Sequence, residues 1–297
     1  MKKLFFATLA YALACAAFAG TPAALSGAGP PSPASPPVDG IGSVITSFKM
    51  SAFAEPCALG IYRDPSYVYG VMYFTGTDYI YRFTTGGARV GSYALSGTSK
   101  PRGADPAHLG SGYLSLVDAD TNRLYVFRTT GGAPITSFAV AASPNAQNCF
   151  WDGTYYYVNG SANLGRFNRY TPAGAAAGRW TCAGWPAAMT TIGGAAYAHR
   201  GNSGGGPYFV ACSWSPNQPM CMTTFPGGSL VRTWTVPLTN GNGLAYGNSS
   251  QPSVYGAAVW SSWYTSGGLY AMEFDIEARN AAAVVPASLG QVKALYR

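Results

Sequence analysis

Charge is scarce in this 297-residue chain: 10% of residues are Asp, Glu, Lys or Arg, and only two are histidine. General acid–base catalysis needs a positioned titratable side chain, and two His, three Glu and eight Asp leave few groups to build with. Cys-x-x-Cys spacing is missing, and His108 and His199 lie far in sequence from any cysteine. That argues against a metal centre, and no cofactor motif is present. The basic residues, among them Arg63, Arg82, Arg102, Arg123, Arg166, Arg179, Arg232 and Arg279, form no run longer than two. A nucleic-acid partner would require a concentrated basic face, so none is expected. Gly-x-Ser-x-Gly is absent from any strand-to-helix context, which removes the footing for a serine hydrolase. The stretch from Gly201 to Gly206 has neither a neighbouring Lys nor a strand-to-helix junction, and reads as a long hairpin loop rather than a phosphate cradle.

The first nineteen residues carry Lys2 and Lys3, an apolar run from Leu4 to Phe18, and small residues at Ala17 and Ala19. This is the pattern of a secretory signal with an Ala-x-Ala cleavage site. A lipid anchor at Cys15 is the minor alternative. Beyond that point no stretch is long and apolar enough for a membrane helix. Residues 20–37 are mostly Pro, Ala, Ser and Gly with no charge, a composition that cannot bury enough apolar surface to offset the entropy of ordering. They read as a flexible spacer, ahead of one all-β domain at 38–275 and a tail at 276–297. Within the tail, Ser288 to Gln291 could cap a short helical turn, with an added edge strand as the other reading.

Removing the leader lowers the formal charge from +7 to +5 and leaves five cysteines. An exported chain can form disulfides, and an odd count leaves one thiol over. Cys212 and Cys221 flank a turn between neighbouring strands and are the preferred pair. Cys149 with Cys182 is the second choice, leaving Cys57 free.

The dominant feature is a repeat, Gly-x-x-(Val/Ile/Ala)-x-(Ser/Thr/Arg)-aromatic. It occurs at Gly42 to Phe48, Gly87 to Tyr93, Gly132 to Phe138, Gly174 to Trp180 and Gly228 to Trp234, with spacings of 45, 45, 42 and 54 residues. Periods near 45 with short, aromatic, glycine-punctuated strands mark a β-propeller blade. Three strand-like runs precede each later copy. The fifth set of three, ending at Leu269 to Phe274, has no copy after it, whereas the first copy has no strands before it. The N-terminal strand, Val44 to Phe48, therefore completes the last blade and closes a ring of five four-stranded antiparallel blades. The aromatic that ends each outer strand, Phe48, Tyr93, Phe138, Trp180 or Trp234, is expected to fill the space between blades.

The repeat resembles secreted, glycine-rich propellers related to the NHL and glutaminyl-cyclotransferase-like groups. The resemblance covers nearly the whole domain and rests on the blade pattern, with no catalytic motif. Five is the blade number found in the glutaminyl-cyclotransferase group. The Trp-Asp dipeptide of WD-repeat proteins occurs once, at Trp151-Asp152, and is not periodic.

Binding by propellers usually involves the loops around the mouth of the central channel, namely those from outer to inner strand and those joining second and third strands. The first loop set carries Phe53, Glu55, Lys100, Arg102, Asn145, Gln147, Trp185 and Asn240 to Asn242. The second carries Asp78, Asp118, Asp120, Asn122, Asn159, Asn163, Trp214, Asn217 and the run from Trp260 to Tyr264, with Trp263 and Tyr264 in it. Aromatics interleaved with Asn, Asp and Gln suit sugar rings, whose faces stack while their hydroxyls take fixed hydrogen bonds. The plainer reading is that the aromatics cover blade tops and the polar residues make turns. Asp118-Ala119-Asp120-Thr121-Asn122 begins like a calcium loop but lacks the Gly at its sixth position and the acid at its twelfth, so a turn is the better reading. Sequence thus points to a monomeric, non-enzymatic binding or scaffold propeller for an extracellular glycan, polymer or protein. The alternative is an exported enzyme of the glutaminyl-cyclotransferase or propeller-lyase type, with Glu55 as the acid in the mouth.

Overall fold

The computed structural model describes residues 44–51, 58–72, 77–160, 163–199, 206–215, 219–235, 241–248, 257–265 and 268–276. The leader, Cys15, the spacer, Glu55, Cys57 and the tail beyond 276 lie outside them. Alternation of apolar and small residues in runs of four to nine, broken by Gly, Asn, Asp and Pro, produces strands and turns, and the described residues contain no helix. No helix is long and apolar enough to cross a membrane among those residues.

Five four-stranded antiparallel sheets result. Blade 1 comprises β2 (Ala58–Arg63), β3 (Tyr67–Met72), β4 (Tyr79–Thr84) and β5 (Arg89–Ala94); blade 2 comprises β6 (Pro101–Pro106), β7 (Tyr113–Asp118), β8 (Arg123–Arg128) and β9 (Thr136–Ala139). Blade 3 holds β10 (Ala146–Trp151), β11 (Tyr156–Gly160), β12 (Arg166–Tyr170) and β13 (Ala176–Thr181). Blade 4 holds β14 (Gly194–Ala198), β15 (Tyr208–Cys212), β16 (Pro219–Thr224) and β17 (Leu230–Thr235). Blade 5 is built from β18 (Gly241–Asn248), β19 (Ala257–Thr265) and β20 (Gly268–Asp275), and its fourth strand is β1 (Val44–Ser51). The β1–β20 pairing, with Phe48 opposite Ala271 and Val44 opposite Phe274, bears out the ring closure expected from the orphan repeat.

The innermost strands β2, β6, β10, β14 and β18 each touch the next around the axis, and β18 returns to β2. Glycine makes that approach possible. A Cβ on Gly103, whose φ is +47°, would lie 2.8 Å from the Asn148 Cα, and one on Gly194 would lie 2.6 Å from the carbonyl carbon of Gly243. Four of these inner strands also carry a register shift near one end, between Ala58 and Gly60, Arg102 and Ala104, Ala146 and Asn148, and Gly241 and Gly243. Such bulges increase local twist and re-aim the neighbouring side chains.

The core lies between blades. Phe48 packs on Phe83 of blade 1, Phe138 on Tyr156 and Tyr170 of blade 3, and Trp180 on Phe209 and Phe225 of blade 4. Tyr93 and Trp234 are half-buried against the corresponding clusters. Each fully buried aromatic of this kind contributes about 2 kcal/mol through removal of apolar surface from water.

The disulfide expectation does not hold, because the four described cysteines, Cys149, Cys182, Cys212 and Cys221, are all free and buried. Cys221 sits opposite Ala211, so Cys212 points to the other face of the sheet. Cys212 belongs to the core between blades 4 and 5 and Cys221 to that between blades 3 and 4. Cys149 and Cys182 are likewise divided between different clusters. Burial pushes the Cys212 thiol up to about 12.

Candidate functional site

In an antiparallel blade the outer-to-inner connections and the turns between second and third strands share one end, and contacts between them confirm the arrangement. Thr98 Oγ1 donates to Asp78 at 2.6 Å, and the hydroxyls of Thr191 and Ser213 are 2.8 Å apart.

On the sector formed by blades 2 and 3 this face is an array of amides. Arg102 Nη1 donates to Gln147 Oε1 at 2.6 Å. Gln147 Nε2 donates to both the backbone and side-chain oxygens of Asn145 at 3.1 Å, and the Asn145 N–H donates to Asn122 Oδ1 at 2.6 Å. Asn122 and Asn145 both have positive φ, at 49° and 53°, a conformation that asparagine tolerates better than other side chains. Buried Asn148, with its amide nitrogen set toward blade 4, reaches Gly193 O at 2.8 Å and Gln147 O at 3.3 Å. Asn159 Nδ2 donates to Asn163 O at 3.1 Å. The blade 4 sector continues with hydroxyls, as the Ser215 N–H donates to Thr191 Oγ1 at 3.0 Å and to Ser213 Oγ at 3.2 Å. Neutral donors and acceptors held in this way can match hydroxyls or amides of an uncharged ligand without reorganising.

The expected contact residues separate into different classes. Trp214 is 47% exposed and is the one exposed tryptophan of seven. Trp185 is half-buried; its Nε1 donates to Met189 O at 2.9 Å, and its ring lies over Gly165. Trp260 is fully buried between blades 5 and 1 rather than on the rim, and Trp263 must be corrected as well. It is 1% exposed, sits in the core between blades 4 and 5, and meets Phe274 at 6.4 Å, so it contacts no ligand at the surface. The side chain of Tyr264 lies outside the described residues.

Asp118 is buried and organises two turns. Its Oδ2 accepts the N–H groups of Ser99 and Lys100, each at 2.7 Å, and its Oδ1 accepts those of Asp120 and Thr121 at 3.1 and 2.8 Å. Burial alone would raise its pKa, but the hydrogen bonds from Lys100, Ser99 and Thr121 outweigh it and hold the carboxyl below its ordinary range. Asp120 has a half-exposed side chain and lies 3.9 Å from Lys100 Nζ. Among the described residues no three His, Cys, Asp or Glu side chains converge as a metal site.

His108 and His199 occupy the other end of the blades. The Nδ1 of His108 is 2.7 Å from the Tyr156 hydroxyl, and burial lowers its pKa. His199 packs edge-on against Tyr246 at 4.9 Å.

Two features escaped the sequence reading. At the end opposite the mouth, Asp64 accepts the Ser66 and Tyr67 N–H groups and the Tyr69 hydroxyl, while Arg82 lies 4.7 Å from the Tyr67 ring. Blade 3 repeats this with Asp152, Thr154, Tyr155, Tyr157 and Arg169. Its sequence signal is Asp-x-x-Tyr-x-Tyr, present at Asp64 to Tyr69 and at Asp152 to Tyr157. The second feature is Asp105 on β6, 1% exposed, with Oδ2 accepting the Trp151 N–H at 2.7 Å and Oδ1 without a partner. Desolvation raises its pKa well above the carboxylate range, and the single backbone hydrogen bond opposes this only in part.

No protein-family model and no curated protein matches the chain. Among solved structures it is similar to glutaminyl cyclase from Myxococcus xanthus, with a TM-score of 0.55 at 10% identity, covering 79% of this chain and 96% of that one. Lower similarity extends to hydrazine synthase from Kuenenia stuttgartiensis (TM-score 0.40, 12% identity, 69% of this chain and 56% of that) and to the WD40 propeller domain of Doa1 (TM-score 0.43, 12% identity, 73% and 63%). At such identities the likeness establishes the architecture: the chain is a five-bladed β-propeller.

Proposed function

We propose that this protein is an exported binding module whose channel-mouth face takes an uncharged, hydroxyl-rich polymer such as a glycan. The observation that carries the reading is the hydrogen-bonded array of Asn122, Asn145, Gln147 and Arg102, bordered by hydroxyls and by exposed Trp214 on the same end of the ring. An exposed indole supplies a flat apolar surface for a sugar face, and fixed amides supply directional partners. Export is supported by the leader-like first nineteen residues and by a surface that relies on uncharged polar groups.

Retention of the full chain on neutral polysaccharide columns tests this. Trp214→Ala and Gln147→Ala should each lose retention, and unchanged retention in both variants would refute the reading. A second reading, cyclisation of N-terminal glutamine, draws support from the fold shared with the Myxococcus enzyme. Turnover of a glutaminyl peptide that is abolished by Glu55→Gln would replace the binding assignment with that one.

A further inference from the structure

Hydrogen-bond direction at the mouth is fixed by two groups that can only donate. A guanidinium has no acceptor, so the Gln147 amide must turn its oxygen to Arg102, whose Nη1 donates to Oε1 at 2.6 Å. The Nε2 of that amide is then committed to Asn145, which meets it with its backbone and side-chain oxygens, both at 3.1 Å. A backbone N–H likewise only donates, and the Asn145 N–H reaches Asn122 Oδ1 at 2.6 Å. Neither asparagine can flip. Reversing Asn145 would set its NH₂ against the Gln147 NH₂, and reversing Asn122 would set an NH₂ against the Asn145 N–H.

Both asparagine oxygens are therefore consumed inside the array, and the NH₂ halves of the two amides turn away from those partners. Asn145 is exposed, and Asn122 and Gln147 are partly so. Among the described residues Asn122 Nδ2 donates to no protein group. The backbone holds these amides in place, through positive φ at both asparagines and through the Val140 N–H, which donates to Asn122 O at 2.8 Å. Asp120, the half-exposed acid of this sector, accepts Ser99 Oγ at 3.1 Å and stands 3.9 Å from Lys100 Nζ. The sector thus presents donors and offers a ligand few acceptors in return.

We propose that the polymer taken at this face is built of N-acetylated amino sugars, with an acetamido carbonyl oxygen accepting from Asn122 Nδ2. This rests on the binding reading above and narrows it to one substrate class. A carbonyl oxygen brings two lone pairs and no proton, so it accepts without needing a partner in return. A hydroxyl in the same place brings a proton that meets only NH₂ groups, and leaving it unmatched costs affinity. Gln147 is a positioning residue. Its amide is used on both sides, and it acts on the ligand by setting which half of Asn145 faces outward.

Calorimetric titration of the full chain with tetra-N-acetylchitotetraose and with cellotetraose tests the proposal, because both are neutral β-1,4-linked tetramers that differ in the substituent at C2. The acetylated tetramer should bind at least about tenfold tighter, the scale of one hydrogen bond made against one left unmatched. Asn122→Asp keeps the acceptor for the Asn145 N–H and the tolerance of positive φ, but replaces the outward NH₂ with oxygen, and should cut the preference to about twofold or less. Gln147→Glu keeps the Arg102 contact and presents oxygen to Asn145, which then turns its Nδ2 inward, and should lower the preference at least about twofold. A merely structural loss would weaken both tetramers alike and leave their ratio unchanged. Equal affinity for the two tetramers, or an undiminished preference in Asn122→Asp, would overturn the acetamido assignment while leaving the polymer reading in place. Saturation by neither tetramer would overturn it too, and retention on the polysaccharide columns decides the polymer reading separately.

Discussion

Replacing Asp105 by Asn should flatten the pH dependence of stability. The carboxyl is 1% exposed and accepts one hydrogen bond, from the Trp151 N–H, and its neighbours include the Cys149 thiol and the Tyr156 and Tyr62 hydroxyls. Desolvation therefore keeps it protonated in the folded ring at pH values where the unfolded chain has already ionised it. The folded state then binds one more proton than the unfolded state, and stability declines by about 1.4 kcal/mol per pH unit above ~4. The decline ends once pH passes the raised folded-state pKa, and below the unfolded value the contribution is fully present. For a domain of this size the slope corresponds to about 3–5 °C per pH unit. Asn keeps the acceptor for Trp151 and cannot ionise, at a pH-independent cost of about 1–3 kcal/mol if its new N–H₂ group finds no acceptor. The readout is the difference between melting curves of wild type and Asp105→Asn from pH 4 to 8, which should shift in favour of the variant as pH rises and level off once the folded carboxyl ionises. Parallel curves across that range would refute the buried, neutral carboxyl.

Three further substitutions probe the ring. Phe48→Ala removes the β1 aromatic that packs on Phe83 and Trp260, and should cost about 3–5 kcal/mol in denaturant unfolding, because it weakens the strand that closes the last blade. Gly103→Ala should destabilise by more than about 1 kcal/mol, since the position needs positive φ and the added methyl would meet the Asn148 backbone at 2.8 Å. Trp263→Ala should cost about 3–5 kcal/mol whereas Trp214→Ala should stay within about 0.5 kcal/mol, a contrast that calorimetric melting will show.

Blade number, most strand spans and ring closure were legible because each depends on short-range signals. A Gly-Gly turn, an alternating run and a terminal aromatic recur at a spacing of about 45 residues, and a strand with no blade of its own must complete the sheet that lacks one. What a side chain faces is set by longer-range facts. Trp263 reads as part of the loop joining second and third strands, yet β19 runs on to Thr265 and carries the indole into the core. Cys212 and Cys221 are near in sequence and on adjacent strands, but register sends them to opposite faces. A one-residue difference in pairing reverses which face a side chain occupies, and sequence spacing cannot supply the register.

Local pattern alone determined a five-bladed propeller sewn shut by its first strand, since turn chemistry and strand alternation act over a few residues and the repeat copies them. Tertiary structure decided the environments. The buried carboxyl of Asp105 and the amide array at the mouth arise where neighbouring blades meet, and desolvation and hydrogen bonding there depend on partners between 23 and 46 residues away.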